Sequence, residues 1–187
     1  MQSCDAVVVD LEIPLETVEC ALMTARRLGK PAILDAGPAQ TCPMKILAGA
    51  DIVSPNESEL ETLSGMPVDG LASAKAAARH LIDQHIPAMV LKLGDKGSLW
   101  ITNSEEIYAP AVKVEAIDPT AAGDAFTTAL AIKWVLRTPI AEALRYANVV
   151  GALTTTKMGA MPSLPTQEEV AAFYRENDSL ESARQIR

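Results

Sequence analysis

Residues 116–136, AIDPTAAGDAFTTALAIKWVL, place a run of small residues directly before a segment whose apolar residues have helical spacing. The residues Thr120, Ala121, Ala122 and Gly123 carry short side chains, so a ligand can approach the backbone closely. The first turn of a helix has unpaired N–H groups and the positive end of the helix dipole, and both favour an anion, above all a phosphate. The stretch therefore predicts an anion-binding turn at the start of a helix.

A single carboxylate, Asp124, follows this turn. An acid in the first turn can simply stabilise the helix through its dipole, by about 0.3–1 kcal/mol. The alternative is a general base beside a pocket for developing negative charge, which is the pairing that phosphoryl transfer to an alcohol requires. The residues alone leave both interpretations open, and no GxxxxGK[ST] or GxGxxG pattern is present elsewhere.

Short apolar runs alternate with segments of helical spacing along the rest of the chain. This alternation predicts an α/β fold with a mostly parallel sheet flanked by helices, in which ligands bind at the carboxyl ends of strands. We expect strands at 5–10, 31–35, 50–54, 88–94 and 97–102, the last two as a hairpin, and an extended segment at 106–116. We expect helices at 14–29, 56–65, 71–85, 123–137, 139–156 and 166–176. Residues 1–176 are predicted to form one domain and residues 177–187 a polar tail.

Composition excludes several classes of function. The 187 residues carry a net charge of -8, which argues against nonspecific binding to nucleic acid or to an anionic membrane surface. No apolar run reaches the length of a membrane span, and the N-terminus lacks the basic start of a signal peptide. The cysteines Cys4, Cys20 and Cys42 are odd in number and far apart, which is typical of unpaired thiols in a reducing cytoplasm.

Residues 118–126, DPTAAGDAF, closely resemble the C-terminal signature of the ribokinase-like carbohydrate kinases, the phosphofructokinase-B superfamily. The resemblance implies that Asp124 is the catalytic base and also contacts the sugar, and that Ala121, Ala122 and Gly123 form the anion hole. It further implies an ATP-dependent kinase that transfers the γ-phosphoryl group to a sugar hydroxyl, with the α/β/α fold of that family.

The segment SPNESEL, residues 54–60, resembles the N-x-x-E segment of the same family. By this resemblance Asn56 contacts a nucleotide phosphate and Glu59 organises the water shell of Mg²⁺. Asn56 is also a good helix N-cap, and Glu59 stands at the third position of a capping box. The two roles can coexist.

The segment KLGDKGS, residues 92–98, resembles the family's turn beside the nucleotide, which implies that Lys92, Gly94 and Gly97 line the ATP site. Asp-Lys-Gly is equally suited to a hairpin turn. Asn148 matches a family residue near the adenine, although an asparagine in a helix can equally cap a neighbouring carbonyl.

Two further resemblances concern a cation and the sugar. Residues 154–165, TTTKMGAMPSLP, resemble a loop that completes a site for a monovalent cation, K⁺. The implied ligands are side-chain oxygens of Asp118 and Ser163 and backbone carbonyls of Thr120, Thr154, Lys157 and Gly159. Residues 10–17, DLEIPLET, resemble a strand end that carries a sugar-binding acid, here Glu12; the alternative is a solvent-facing glutamate at a helix start.

The family's N-terminal strands, its lid and its Gly-Gly sugar motif have no counterpart in this sequence. The resemblance therefore implies a C-terminal, nucleotide-binding portion with weak or absent sugar phosphorylation alone. Its expected partners are a sugar and either a second copy of the chain or a separate N-terminal half. Alternatives are a kinase for a nucleoside, a fructose-type sugar or a keto-deoxy sugar acid, and a non-catalytic nucleotide-binding or subunit-interaction module.

Overall fold

The computed structural model describes residues 1–184, and the side chains of residues 1–177. Six strands form one sheet in the order β1-β2-β3-β4-β5-β6. They are β1 (Val7–Val9), β2 (Ala32–Asp35), β3 (Ile52–Ser54), β4 (Met89–Lys92), β5 (Ser98–Ile101) and β6 (Glu106–Ala109). The first four strands are parallel, whereas β5 pairs antiparallel to both β4 and β6. The predicted α/β fold and its hairpin are thus confirmed.

Seven helices accompany the sheet in the described residues. They are α1 (Leu15–Arg27), α2 (Met44–Leu47), α3 (Glu57–Ser64), α4 (Leu71–Ile82), α5 (Ala122–Val135), α6 (Ile140–Thr154) and α7 (Gln167–Arg184). Six of them were predicted, but α2 was missed because a single turn is too short to show helical periodicity.

The predicted end of the last helix at residue 176 is wrong, since α7 continues to Arg184. No glycine or proline follows Gln167 to stop it. Residues 185–187 of the predicted polar tail lie outside the described residues. The division into a domain of residues 1–176 and a tail of residues 177–187 stays a prediction.

Alternate residues of the strands face opposite sides of the sheet, which gives the molecule three layers. One face packs against α1, α3 and α4 through the buried residues Leu34, Val53, Leu91, Leu99, Leu22, Leu60 and Leu81. The other packs against α5 and α6 through Ile33, Ile52, Val90, Trp100, Phe126, Leu130 and Leu144. Among residues 1–184, no helix combines the length and the apolar character needed to cross a membrane.

Strands β1 to β4 and β6 all end at the same edge of the sheet, so the loops that follow them meet there. Only the first part of the extended segment predicted at 106–116 is a strand. Strand β6 ends at Ala109, and residues 110–121 run without regular structure to the start of α5. Pro110 cannot donate to a sheet ladder, and β6 is the last strand of the described sheet, so no pairing extends it.

We predict that Gly97→Ala destabilises the fold far more than Gly94→Ala, although both glycines belong to the turn between β4 and β5. At Gly97, φ is 104°, and a Cβ would overlap the Ala109 carbonyl oxygen and lie 2.5 Å from the Ala111 nitrogen. At Gly94, φ is 56°, and no atom lies within 4 Å of an added Cβ. We expect losses of roughly 3 kcal/mol or more and about 1 kcal/mol, respectively.

Urea denaturation followed by circular dichroism measures both losses. Equal losses for the two variants would contradict the close approach of Gly97 to the segment that follows β6.

Candidate functional site

A cleft of about 930 Å³ opens at the edge of the sheet where β1 to β4 and β6 end. Its walls come from the loops after β2, β3, β4 and β6 and from the first turn of α5. Many of the predicted site residues line it: Asn56, Glu59, Lys92, Gly94, Gly97, Ala121, Ala122, Gly123, Asp124 and Asn148. The structure therefore brings together residues from four separate segments of the sequence.

The turn predicted to bind an anion, residues 121–124, forms the start of α5. Ala121 caps α5 in the left-handed conformation, with φ of 62°. The N–H of Ala122 donates to the Pro119 carbonyl at 3.2 Å, so this member of the predicted anion hole is engaged. Within the described part of the chain, the N–H groups of Ala121, Gly123 and Asp124 have no backbone acceptor. The N–H group of Asp124 is therefore a candidate donor in addition to those predicted at Ala121 and Gly123.

Asp124 presents its carboxylate to the cleft. The residue is exposed and lines the cleft wall, and no hydrogen bond or ion pair engages its side chain within residues 1–177. A carboxylate beside unpaired N–H groups can accept a proton while the amides stabilise an anion.

The capping-box interpretation of Asn56 and Glu59 is confirmed. The Glu59 N–H donates to Asn56 Oδ1 at 2.9 Å, and the Asn56 N–H donates to Glu59 Oε2 at 2.7 Å. Asn56 Nδ2 also donates to Glu59 Oε1 at 2.7 Å. Both residues nevertheless line the cleft, and Glu59 is buried, which raises the pKa of its carboxyl group. Capping and facing a ligand are compatible here.

The Lys92 side chain at the end of β4 forms ion pairs within the protein. Its Nζ lies 2.6 Å from Oδ1 of Asp35, at the end of β2, and 3.9 Å from Oε2 of Glu59. The other Asp35 oxygen accepts a hydrogen bond from Thr127 Oγ1 at 2.5 Å. Sequence reasoning missed Asp35 and Thr127. An aspartate closing an apolar strand, AILD, at the ligand-binding edge was a signal that could have pointed to Asp35.

A second wall of the cleft consists of small and apolar residues that sequence reasoning also missed. It is lined by Ala111, Val112, Val114, Gly151 and Ala152. The segment after β6 is held in place by Asn148, whose Nδ2 donates to the carbonyls of Ala109 and Pro110, both at 3.1 Å. Asn148 therefore caps neighbouring carbonyls, as its alternative interpretation proposed, and still lines the cleft.

The loop predicted to hold a cation is joined to the start of α5 through Asp118. Its Oδ1 accepts from the Thr120 hydroxyl at 2.6 Å and the Thr120 N–H at 2.9 Å, and its Oδ2 accepts from the Gly159 N–H at 2.9 Å. These hydrogen bonds, led by that of the Thr120 side chain, lower the pKa of Asp118.

Three side chains in the segment predicted to hold a cation have partners of their own, although the ligands predicted at Thr154 and Lys157 are backbone carbonyls. Buried Thr154 donates its hydroxyl to the Val150 carbonyl, and buried Ser163 donates to the Ala160 carbonyl. The Lys157 ammonium pairs with Glu169. No group of three or more histidine, cysteine, aspartate or glutamate side chains suited to a metal occurs in the part of the chain that the structure describes.

Glu12 lies apart from the other predicted residues. It is exposed in the loop after β1, where its N–H donates to Asp10 Oδ1 at 3.0 Å, and it does not line the cleft. The structure therefore does not bring Glu12 into the cleft with Asp124.

Comparison with known sequences identifies a family. Residues 1–167 match the sequence model of the pfkB family carbohydrate kinases. A deoxyribokinase of Salmonella typhimurium is 34% identical over 179 residues, which are 95% of this chain and 58% of the relative. A ribokinase of Staphylococcus aureus is 35% identical over 169 residues, which are 90% of this chain and 56% of the relative. The chain thus spans a little over half the length of these curated relatives.

Solved structures agree with this result. The ribokinase of Arabidopsis thaliana, in complex with ribose and ATP, has a TM-score of 0.87 and 31% identity, over 91% of this chain and 56% of that protein. The ribokinase of Thermotoga maritima has a TM-score of 0.81 and 34% identity, over 91% of this chain and 57% of that protein.

Glu59 generates a prediction about pH. Burial, and more weakly the negative charges of Asp35 and Asp124, raises the pKa of its carboxyl group in the folded protein. The folded protein therefore holds this proton more tightly than the unfolded chain does. Ionisation of Glu59 then costs stability as the pH rises from the ordinary glutamate pKa through the raised folded pKa. Glu59→Gln cannot ionise, so the unfolding free energy of the wild type should fall relative to this variant over that interval.

Urea denaturation at a series of pH values measures this difference. Glu59→Ala, which also loses the capping hydrogen bonds, serves as the control. Its difference from the wild type in unfolding free energy should vary with pH in the same way as that of Glu59→Gln, with an additional loss of stability that does not depend on pH. A difference that does not change with pH would refute the raised pKa.

Proposed function

This chain belongs to the pfkB family of carbohydrate kinases, and we propose that its cleft binds ATP and transfers the γ-phosphoryl group to a sugar hydroxyl. The observation that carries the proposal is the exposed Asp124 carboxylate beside the unpaired N–H groups of Ala121 and Gly123. The chain spans 58% of the length of the deoxyribokinase relative, so both the activity and its substrate belong to the proposal.

The proposed chemistry divides between the side chain and the backbone of one helical turn. The Asp124 carboxylate accepts the proton of the attacking hydroxyl group. The amides of Ala121 and Gly123, with the positive end of the α5 dipole, stabilise the negative charge on the oxygens of the transferred phosphoryl group. Both parts lie within four residues of the chain, so the start of α5 sets their relative position.

The rest of the cleft supports a nucleotide as the phosphoryl donor. The apolar wall formed by Ala111, Val112, Val114, Gly151 and Ala152 suits the flat base of ATP, with Asn148 beside it. Asn56, Lys92, Gly94 and Gly97 also line the cleft. Gly97 lies against Ala111 of the apolar wall, and we place the phosphates beside Asn56 and Lys92. The Arabidopsis thaliana ribokinase, which has this fold, was solved with ATP and ribose.

Magnesium is part of the proposal because the cleft is rich in carboxylates. Among the described residues that line it, Asp35, Glu59, Asp95 and Asp124 carry carboxylates, whereas only Lys92 and Lys113 carry ammonium groups. This excess of negative charge disfavours a bare polyphosphate. Both Glu59 oxygens already accept hydrogen bonds from Asn56, so these residues fit Mg²⁺ held through water better than directly. Bound with ATP, the ion would neutralise phosphate charge.

We also propose a K⁺ site near the loop that contains Gly159. The Asp118–Thr120 and Asp118–Gly159 hydrogen bonds support it, since they bring both predicted segments together. The remaining proposed ligands are Ser163 and the carbonyls of Thr120, Thr154, Lys157 and Gly159. A cation there would steady the anion-binding turn rather than contact the substrate.

The sugar is the least determined part of the proposal. The relatives named above act on ribose or deoxyribose, and both sugars are candidates. A sugar contact by Glu12 is supported by family resemblance alone, because this residue lies outside the cleft lining. We place the protein in the cytoplasm, which agrees with its three unpaired cysteines.

Asp124→Asn tests the proposed base. We expect phosphoryl transfer from ATP to ribose to fall by about 10²- to 10⁴-fold, while the dissociation constant for ATP changes little, because the amides and the base-binding wall remain. A coupled ADP-release assay and isothermal titration calorimetry measure the two quantities. The matched control is Glu142→Gln, which removes an acid from the first turn of α6, outside the cleft.

If Asp124 served only the helix dipole, both variants would lose a little stability and neither would change turnover selectively. ATP binding by the wild type without transfer to any sugar would contradict phosphoryl transfer by this chain alone. That result is expected of a non-catalytic nucleotide-binding module and also of a C-terminal portion that is inactive alone.

Ala152→Leu tests the position of the nucleotide base. Ala152 is half-buried in the cleft wall, so a leucine there would occupy the space for the base and weaken ATP binding by roughly tenfold or more. Binding of pyrophosphate, which lacks a base, should not change. Ala141→Leu adds the same volume at an exposed position of α6 outside the cleft and serves as the control. Equal weakening of ATP and pyrophosphate would place the phosphates, rather than the base, against α6.

A further inference from the structure

The Asp35 carboxylate lies at the carboxyl end of β2 and is 7% exposed. It contacts groups from three other places in the fold. Oδ1 lies 2.6 Å from the Lys92 ammonium and 3.3 Å from the N–H of Gly37, and Oδ2 accepts from Thr127 Oγ1 at 2.5 Å. A buried charge is costly unless it is paired and hydrogen-bonded, so these contacts hold β2, β4 and α5 in one arrangement.

Through Lys92, Asp35 reaches the anion-binding turn. The Lys92 side chain is 13% exposed, and its Nζ lies 3.7 Å from the position that a Cβ on Gly123 would occupy. The Lys92 ammonium therefore lies next to Gly123 of the turn. A lysine side chain has four rotatable methylene groups, and the ion pair with Asp35 restricts where its charge can be.

Through Thr127, Asp35 also reaches the helix that carries the proposed base. Thr127 is buried on α5, three residues after Asp124 and four after Gly123, so all three lie on neighbouring turns of one side of the helix. Its hydroxyl is also 3.4 Å from that of Ser54 at the end of β3. Polar contacts of Thr127 with Asp35 and Ser54 thus connect the start of α5 to the sheet.

We propose that Asp35 is a positioning residue for phosphoryl transfer: it directs the Lys92 ammonium toward phosphate oxygens at the turn 121–124 and, through Thr127, fixes the start of α5. This inference rests on the proposed kinase function. Asp35 itself does not contact the reacting atoms.

The two functions of Asp35 have opposite effects on binding and on turnover. Its charge neutralises Lys92 and so weakens the attraction of the cleft for an anion, whereas its contacts hold the ammonium and α5 in place for the reaction. Asp35→Asn keeps the size of the side chain and an acceptor for Thr127 but removes the ion pair. The variant should therefore bind polyphosphate more tightly and transfer the γ-phosphoryl group more slowly. A merely structural residue would weaken both together.

The test measures binding of the Mg²⁺ complex of a non-hydrolysable ATP analogue, and turnover with ATP and ribose. For Asp35→Asn we expect affinity to rise about two- to tenfold at low salt, the gain disappearing at high salt, and turnover to fall about tenfold or more. Thr127→Val, which keeps the ion pair, should lower turnover without changing affinity. Glu19→Gln, which removes an exposed ion pair with Lys45 far from the cleft, should change neither.

A loss of affinity parallel to a loss of thermal stability in Asp35→Asn, or no change in either measurement, would overturn the positioning role. If Asp35→Asn does not fold, unchanged turnover in Thr127→Val would overturn it. Failure of the wild type to bind the analogue would refute the proposed function itself, whereas wild-type binding with an unaffected Asp35→Asn would refute this inference alone.

Discussion

A buried carboxylate needs a partner, and the pairing of Asp35 with Lys92 is the interaction on which the cleft depends. The two residues end β2 and β4, which are separated in the sheet by β3. Their side chains converge because parallel strands place their last residues at a common edge. The hydrogen bond from Thr127 extends the same constraint to α5, so the start of this helix is held against the sheet.

The charges around this pair bear on the proposed binding of ATP together with Mg²⁺. Asp35, Glu59, Asp95 and Asp124 line the cleft together with the ammonium groups of Lys92 and Lys113. Burial, and more weakly the charges of Asp35 and Asp124, raises the pKa of Glu59. Backbone N–H groups at Ala121 and Gly123 supply further donors for an anion beside the Lys92 ammonium. Amides carry no net charge, so they can stabilise a phosphoryl group in an acidic protein without attracting anions from a distance.

Several residues of the cleft hold the fold together and face the ligand space at once. Asn56 and Glu59 cap α3, and Asn148 holds the carbonyls after β6, yet all three line the cleft. A structural explanation of such a residue therefore does not exclude a functional one. Hydrogen bonds that cap a helix also fix the rotamers of the side chains that make them, which keeps a binding site preorganised.

Local patterns in the sequence determined much of this protein. Apolar periodicity predicted the strands and the longer helices, and the small residues before Asp124 predicted an anion-binding turn at the start of α5, because each depends on neighbours a few positions apart. The contacts of Asp35 were decided only by tertiary structure. Lys92 lies 57 residues from it in the sequence and Thr127 lies 92 residues away. A local sequence pattern does not predict these contacts, because they are set by the register of the strands and by the packing of α5 on the sheet.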